Sequence, residues 1–101
     1  MNEMRTGTNR KRTPATPTEP EFTADETELT VDWTSNGDSS VLSCTLINTV
    51  SGWVETGSAI DASETHTFAT PGIEGQTYCA KLVAYLNGES SKGITSGSVT
   101  V

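Results

Sequence analysis

The sequence predicts an all-β fold, a sandwich of two antiparallel sheets made from seven short strands and preceded by an extended N-terminal arm. Three observations lead there. Leu-Thr-Val-Asp-Trp (29–33) and Thr-Tyr-Cys-Ala-Lys-Leu-Val-Ala-Tyr (77–85) place apolar residues at every second position, the period of a half-buried strand. Between and beyond them, clusters of Gly, Asn, Asp, Ser and Pro break the chain at short intervals. With 101 residues and a hydrophobic content of 33%, the chain can close one modest core and no second domain.

The arm is expected over residues 1–20 and the sandwich over 21–101. Pro14, Pro17 and Pro20 stand among Thr, Ala and charged residues, with almost nothing apolar to bury, so this stretch reads as extended or polyproline-like. Phe22 is ambiguous between the arm and a first edge strand. In the next strand Leu29, Val31 and Trp33 face one way, with Thr30 and Asp32 facing the other. Ser35-Asn36-Gly37-Asp38 is a turn suited to positive backbone dihedrals. A third strand runs from Val41 to about Thr49, with Cys44 and Leu46 inward and Val41 and Ile47 on the opposite parity. Ser51-Gly52 ends it.

Trp53-Val54-Glu55 reads as a short strand, and 57–63 as a polar connection. Glu64 to Ala69 forms a further strand with His66 and Phe68 on one face. The Pro71 to Gly75 loop leads into Thr77 to Tyr85, the strongest strand in the chain. Residues 87–91 read as the next hairpin loop, and Ile94 to Val101 as a last strand with Val99 and Val101 toward the core.

The net charge of -7 is unevenly placed. Arg5, Arg10, Lys11 and Arg12 against Glu3 and Glu19 leave residues 1–20 at +2, whereas Lys81 and Lys92 against eleven acids leave residues 21–101 at -9. An acidic body repels a phosphate backbone, so nucleic acid is not an expected partner of the sandwich. The basic cluster reads as a solvated tail or as a docking arm for an acidic protein surface. No apolar run reaches the roughly 18 residues of a helical membrane span, and the basic N-terminus has no apolar segment behind it as a secretory signal would. Membrane insertion is therefore not expected, and the chain is expected to stay in the cell that made it or to leave as part of an assembly.

Few residues invite chemistry. His66 is the only histidine, Cys44 and Cys79 lie 35 positions apart in different strands, and neither belongs to a C-x-x-C pair. A zinc site thus lacks ligands, and no metal or cofactor is expected. The two thiols are either joined or both buried. Asp25, Glu26, Glu28, Asp32 and Asp38 do not follow the spacing of a calcium loop and read as a solubilising face. No nucleophile motif accompanies His66, and an enzyme is not expected. Trp53 either closes the sandwich edge or is an exposed aromatic anchor for protein or sugar. Tyr85 and residues 87–91 lie at one end of a sheet and could add to such a surface.

Leu-x-Val-x-Trp at 29–33, Tyr-x-Ala-x-Leu-x-Ala-Tyr at 78–85 and Asn-Gly-Glu-Ser at 87–90 resemble a fibronectin type III domain over residues 20–101. The resemblance implies a seven-stranded immunoglobulin-like, fibronectin type III-like sandwich with Trp33 in its core. It implies that Cys44 replaces the family's usual tyrosine, and that Tyr78 opens the sixth strand and hydrogen-bonds backbone near the preceding loop. The loop at 71–75 lacks the usual leucine two residues before its proline, and Phe68 is expected to supply that bulk. This register puts Cys44 inward and Cys79 outward, which argues against a disulfide. Such domains serve adhesion, display, spacing and assembly alike, so fold does not choose a function.

The leading expectation is a structural interaction protein, fastened by its arm to a large protein assembly and projecting its acidic body. That combination looks like the accessory or decoration proteins of tailed-bacteriophage heads, which implies a capsid as partner and the virion surface as location. Arg5, Arg10, Lys11, Arg12 and Trp53 are the expected partner-binding residues. The alternatives are an extracellular module that binds a host-surface carbohydrate or protein through Trp53 and the sandwich loops, and a small adaptor with one soluble partner.

Overall fold

The computed structural model describes residues 12–101. Strands form where side chains alternate between an inner apolar and an outer polar row, and the chain runs β1 (Thr18–Ala24), β2 (Leu29–Thr34), β3 (Val41–Asn48), β4 (Val54–Ile60), a single 3-10 turn (Asp61–Ser63), β5 (Thr65–Thr67) and β6 (Thr77–Leu86). Three short pieces follow, β7 (Glu89–Ser90), β8 (Ile94–Thr95) and β9 (Val99–Thr100), all antiparallel to β6. They are one interrupted edge strand, so the architecture is the expected seven-stranded sandwich. One sheet has the order β1-β2-β5, and the other runs β4-β3-β6 with the broken strand at its edge.

The core lies between the sheets. Leu29, Val31 and Trp33 from β2 meet Leu42, Cys44 and Leu46 from β3 and Tyr78, Ala80, Leu82 and Ala84 from β6. Phe22 belongs to this core, pairing with Val31 from within β1, and Phe68 fills its lower part at 3% exposure. The sandwich therefore starts earlier in the chain than residue 21. Pro14 and Pro17 are buried, and β1 begins at Thr18. Pro20 has no amide to give a ladder, and the β1–β2 register slips by one residue between Thr18 and Glu21, with Glu19 at φ 53°.

Two other boundaries differ from the sequence expectation. The supposed polar connection at 57–63 is largely the second half of β4, seven residues paired with β3 throughout. Its inward positions, Glu55, Gly57 and Ala59, are not large apolar residues because they overlie the margin of the core rather than its centre. Gly57 passes so close to His66 that a Cβ would lie 2.7 Å from its Nε2. The hairpin after β6 is a two-residue turn, Asn87 at φ 52° and Gly88 at φ 85°, because Leu86 and Glu89 already pair.

The outward face of the second sheet is ordered in cross-strand rows. Ile60, Val41 and Tyr85 stand side by side at one end, and Val54, Ile47 and Cys79 at the other. Between them lie Ser58, Ser43 and Val83, then Thr56, Thr45 and Lys81. The Thr45 and Thr56 hydroxyls share a hydrogen bond of 3.2 Å across the ladder.

Candidate functional site

Because β3 runs the length of the sandwich, it defines two poles about 23 Å apart. At its first residue, Val41, lie the ends of β4 and β6; at its last, Asn48, lie Trp53 and Tyr78. The expected partner-binding residues that can be placed fall at opposite poles. Arg5, Arg10 and Lys11 lie outside the described residues.

Arg12 is at the first pole. Its Nη2 donates to Asp38 Oδ1 at 2.8 Å, and the Ala15 amide donates to Asp38 Oδ2 at 3.1 Å. The Arg12 side chain is 65% exposed, so the charge of the pair is screened by solvent, whereas the Ala15 contact is anchored in the backbone. Arg12 and the Ala15 amide hold the Asp38 carboxyl below the usual aspartate range. Asn36 Nδ2 donates to the Ala15 carbonyl at 2.6 Å, and the Thr16 hydroxyl donates to the Lys92 carbonyl at 3.2 Å. Buried Asp61 organises the turn beneath: its carboxylate accepts from the Asn36 amide and the Ser35 hydroxyl, and its carbonyl accepts from Trp33 Nε1 at 2.9 Å. Residues 12–17 are thus strapped to the first pole, and the chain N-terminal to Arg12 starts there.

Trp53 is at the second pole, 45% exposed, at the mouth of a groove of about 490 Å³. Trp53, Ile73 and Tyr78 give it apolar walls, and Asn48, Gln76 and Thr70 line its polar margin. Local chemistry fixes the ring. Asn48 Oδ1 accepts from the Val50 and Ser51 amides, the Asn48 backbone amide donates to the Trp53 carbonyl at 2.8 Å, and Ser51 Oγ accepts from the Trp53 amide at 3.2 Å. Gln76 Oε1 accepts from Asn48 Nδ2 at 3.1 Å, which leaves the Gln76 NH2 without a partner among the described residues. The Tyr78 hydroxyl accepts from the Ile73 amide at 3.2 Å, the backbone bond near the preceding loop that the resemblance implied. Such a groove can stack one ring or seat one apolar side chain on Trp53 and offer amide donors to a polar edge.

The remaining candidates have structural places. His66 packs edge-on against Phe68 with ring centroids 4.8 Å apart, and desolvation lowers its pKa despite the nearby Glu55. Glu55 is occupied by the Ala69 amide and the Thr70 hydroxyl. Asp25 caps its own turn, accepting from the Thr27 hydroxyl and from the Glu28 and Thr27 amides, which lower its pKa, the hydroxyl most. Among the described residues no three His, Cys, Asp or Glu side chains converge on a metal-sized site. Cys44 and Cys79 are both free and face opposite sides of the same sheet, and burial pushes the Cys44 thiol up to about 11. The Trp53 groove was only half visible in the sequence: Trp53 was, but the groove exists only where residues 48–53 meet residues 70–78.

These features define a fibronectin type III-like, immunoglobulin-like sandwich. The structure superposes on a two-domain fibronectin type III segment of chicken tenascin with a TM-score of 0.76, 15% identity and 88% of this chain covered. It matches titin domains A168–A170 with a TM-score of 0.69 and 17% identity over 87% of the chain, and titin kinase with its flanking domains at 0.68 and 16% over 88%. The chain spans about half of the tenascin segment, 51%, and 32% and 17% of the two titin chains. At these identities the likeness is one of fold. No protein-family model matches the chain, and no curated protein sequence matches it.

Proposed function

We propose that this protein is a non-enzymatic interaction module that fastens through its basic N-terminal segment to a large protein assembly, a viral capsid in the reading we favour, and holds its acidic sandwich outward at the virion surface. The observation that carries this reading is the separation of the poles. Residues 12–17 are bound to the pole opposite the Trp53 groove, so a segment that leaves from Arg12 can engage a partner while the far pole stays free. The groove itself has no histidine or carboxylate among its lining residues, so it has no acid–base pair with which to turn a ligand over. The likeness of a small sandwich with a basic leader to phage-head decoration proteins supports the capsid as partner.

The test is occupancy on the particle. Removal of residues 1–11 is expected to release the protein from its assembly while the sandwich keeps its melting temperature; unchanged occupancy would sink the arm reading. Cutting after residue 20 is not a clean test, because it removes buried Pro14 and Pro17 and the start of β1.

A second reading is favoured by one observation, the half-exposed Trp53 beside the Gln76 NH2, which has no partner among the described residues. There the module binds a carbohydrate or cell-surface protein at the second pole, in an extracellular setting, and loss of residues 1–11 leaves binding intact while Trp53→Ser abolishes it.

A further inference from the structure

We propose that the outward face of the β4-β3-β6 sheet is a self-association surface that pairs two copies of this chain about a two-fold axis. The first observation is charge. The chain carries 13 acids, yet none of the outward positions of β3, β4 and β6 is acidic. The opposite sheet shows the contrast, with Glu21 directly across from Asp32 on its outward side. Two copies at -7 each repel, so a face that brings them together must be cleared of acids. Lys81 is the one charged residue on the face, and its stem lies over Gly93, where a Cβ would fall 2.4 Å from Lys81 Cε. The ammonium is thereby drawn toward the broken edge strand and away from the centre.

The second observation is exposure. Ile60 is 65% exposed, Val54 54%, Val41 51% and Tyr85 47%, and no described element packs over them. The third is pattern. Along β3 and β4 the outward positions run apolar, hydroxyl, hydroxyl, apolar, Val41, Ser43, Thr45, Ile47 beside Ile60, Ser58, Thr56, Val54, which reads the same from either end, and β6 flanks them with Tyr85, Val83, Lys81 and the buried Cys79. A two-fold axis in the plane of the contact, along the strands or across them, therefore lays apolar rows on apolar rows and hydroxyl rows on hydroxyl rows. Self-complementarity of this kind is what an isologous contact requires, and aligned sheet-on-sheet packing about 10 Å apart is its ordinary geometry.

The size of the face sets the strength. Four strand positions at about 4.8 Å spacing and seven residues at about 3.3 Å give a footprint of roughly 440 Å² per partner. Two such footprints fall below the roughly 1,200 Å² at which standard stable interfaces begin, so the dimer is a weak, reversible one. It forms at high local concentration, as when many copies share one surface, and it does not depend on the arm reading.

Sedimentation equilibrium of the purified full chain tests this, from micromolar to about 1 mM, the weak end of measurable association. A monomer–dimer equilibrium is expected, tightened by added salt because screening relieves the repulsion between acidic bodies. Val41→Glu and Ile60→Glu, at exposed positions that leave the core intact, should each weaken the dimer at least about tenfold, whereas Glu21→Gln on the other sheet should not weaken it. A monomer throughout the range would overturn the proposal, as would an open-ended oligomer, or a dimer indifferent to both face substitutions while their melting curves match the parent.

Discussion

At the scale of single residues, the polar side chains that matter most are those that stand in for backbone. Asp38 is the clearest case, since it holds Arg12 and the Ala15 amide at once. Its carboxyl is depressed first by the hydrogen bond from Arg12 and then by the Ala15 amide. A depressed carboxylate contributes stability that is present above its ordinary value and is lost as pH falls through the folded value. The Ala15 amide shift, followed by NMR, is therefore expected to titrate with a midpoint below the usual aspartate value of about 3.9, and the transition should vanish in Asp38→Asn. A midpoint at or above that value would show that the strap is not held by this carboxylate. Cys44 illustrates the opposite effect: enclosed by apolar neighbours, its thiol stays protonated far above neutral pH and behaves as a small core side chain.

At the scale of elements, the interrupted edge strand β7–β9 has a specific construction. Regular pairing with β6 would carry Leu82 to residue 93 and Tyr78 to residue 98, but the partners are Ile94 and Val99, so one extra residue enters at each junction. Ser91 and Ser96 accommodate the insertions. The Ser91 amide donates to the Ala84 carbonyl, and Ser91 Oγ in place of its own carbonyl accepts from the Ala84 amide at 2.9 Å. Ser96 repeats this with Ala80, again at 2.9 Å, and each serine hydroxyl donates its proton to the next carbonyl. The bulges bend the edge and leave no long flat strand open to pairing with another chain. Ser96→Ala should cost about 1 to 3 kcal/mol in chemical denaturation, because the buried Ala80 amide then has no acceptor. A loss below about 0.5 kcal/mol would mean that the edge relaxes to satisfy it.

At the scale of the whole molecule, the poles divide labour. The first collects the turn at 35–38, the 3-10 turn and the strap of residues 12–17; the second collects the Trp53 groove and the C-terminal Val101, whose carbonyl accepts from the Gly75 amide at 2.9 Å. The strap is part of the fold rather than an appendage. Truncation after Pro20 should accordingly lower stability by at least about 2 kcal/mol relative to truncation after Lys11, since it exposes the sites that Pro14 and Pro17 cover. Equal melting temperatures for the two truncations would show that these prolines contribute nothing to the core.

The sequence by itself determined the fold class and the inward set of Leu29, Val31, Trp33, Cys44 and Leu46. These follow from strict alternation and turn residues, which act over a few positions and need no distant partner; the place of Phe68 and the Tyr78 bond to the loop were implied by the resemblance to a fibronectin type III domain. Tertiary structure alone decided that Pro14 and Pro17 are buried, that β4 continues to Ile60, that two serines rebuild the edge ladder and that Ile73, Gln76 and Trp53 share a groove. In each of these the deciding contact joins segments far apart in the chain, and a polar or proline-rich stretch is told from a loop only by what packs against it.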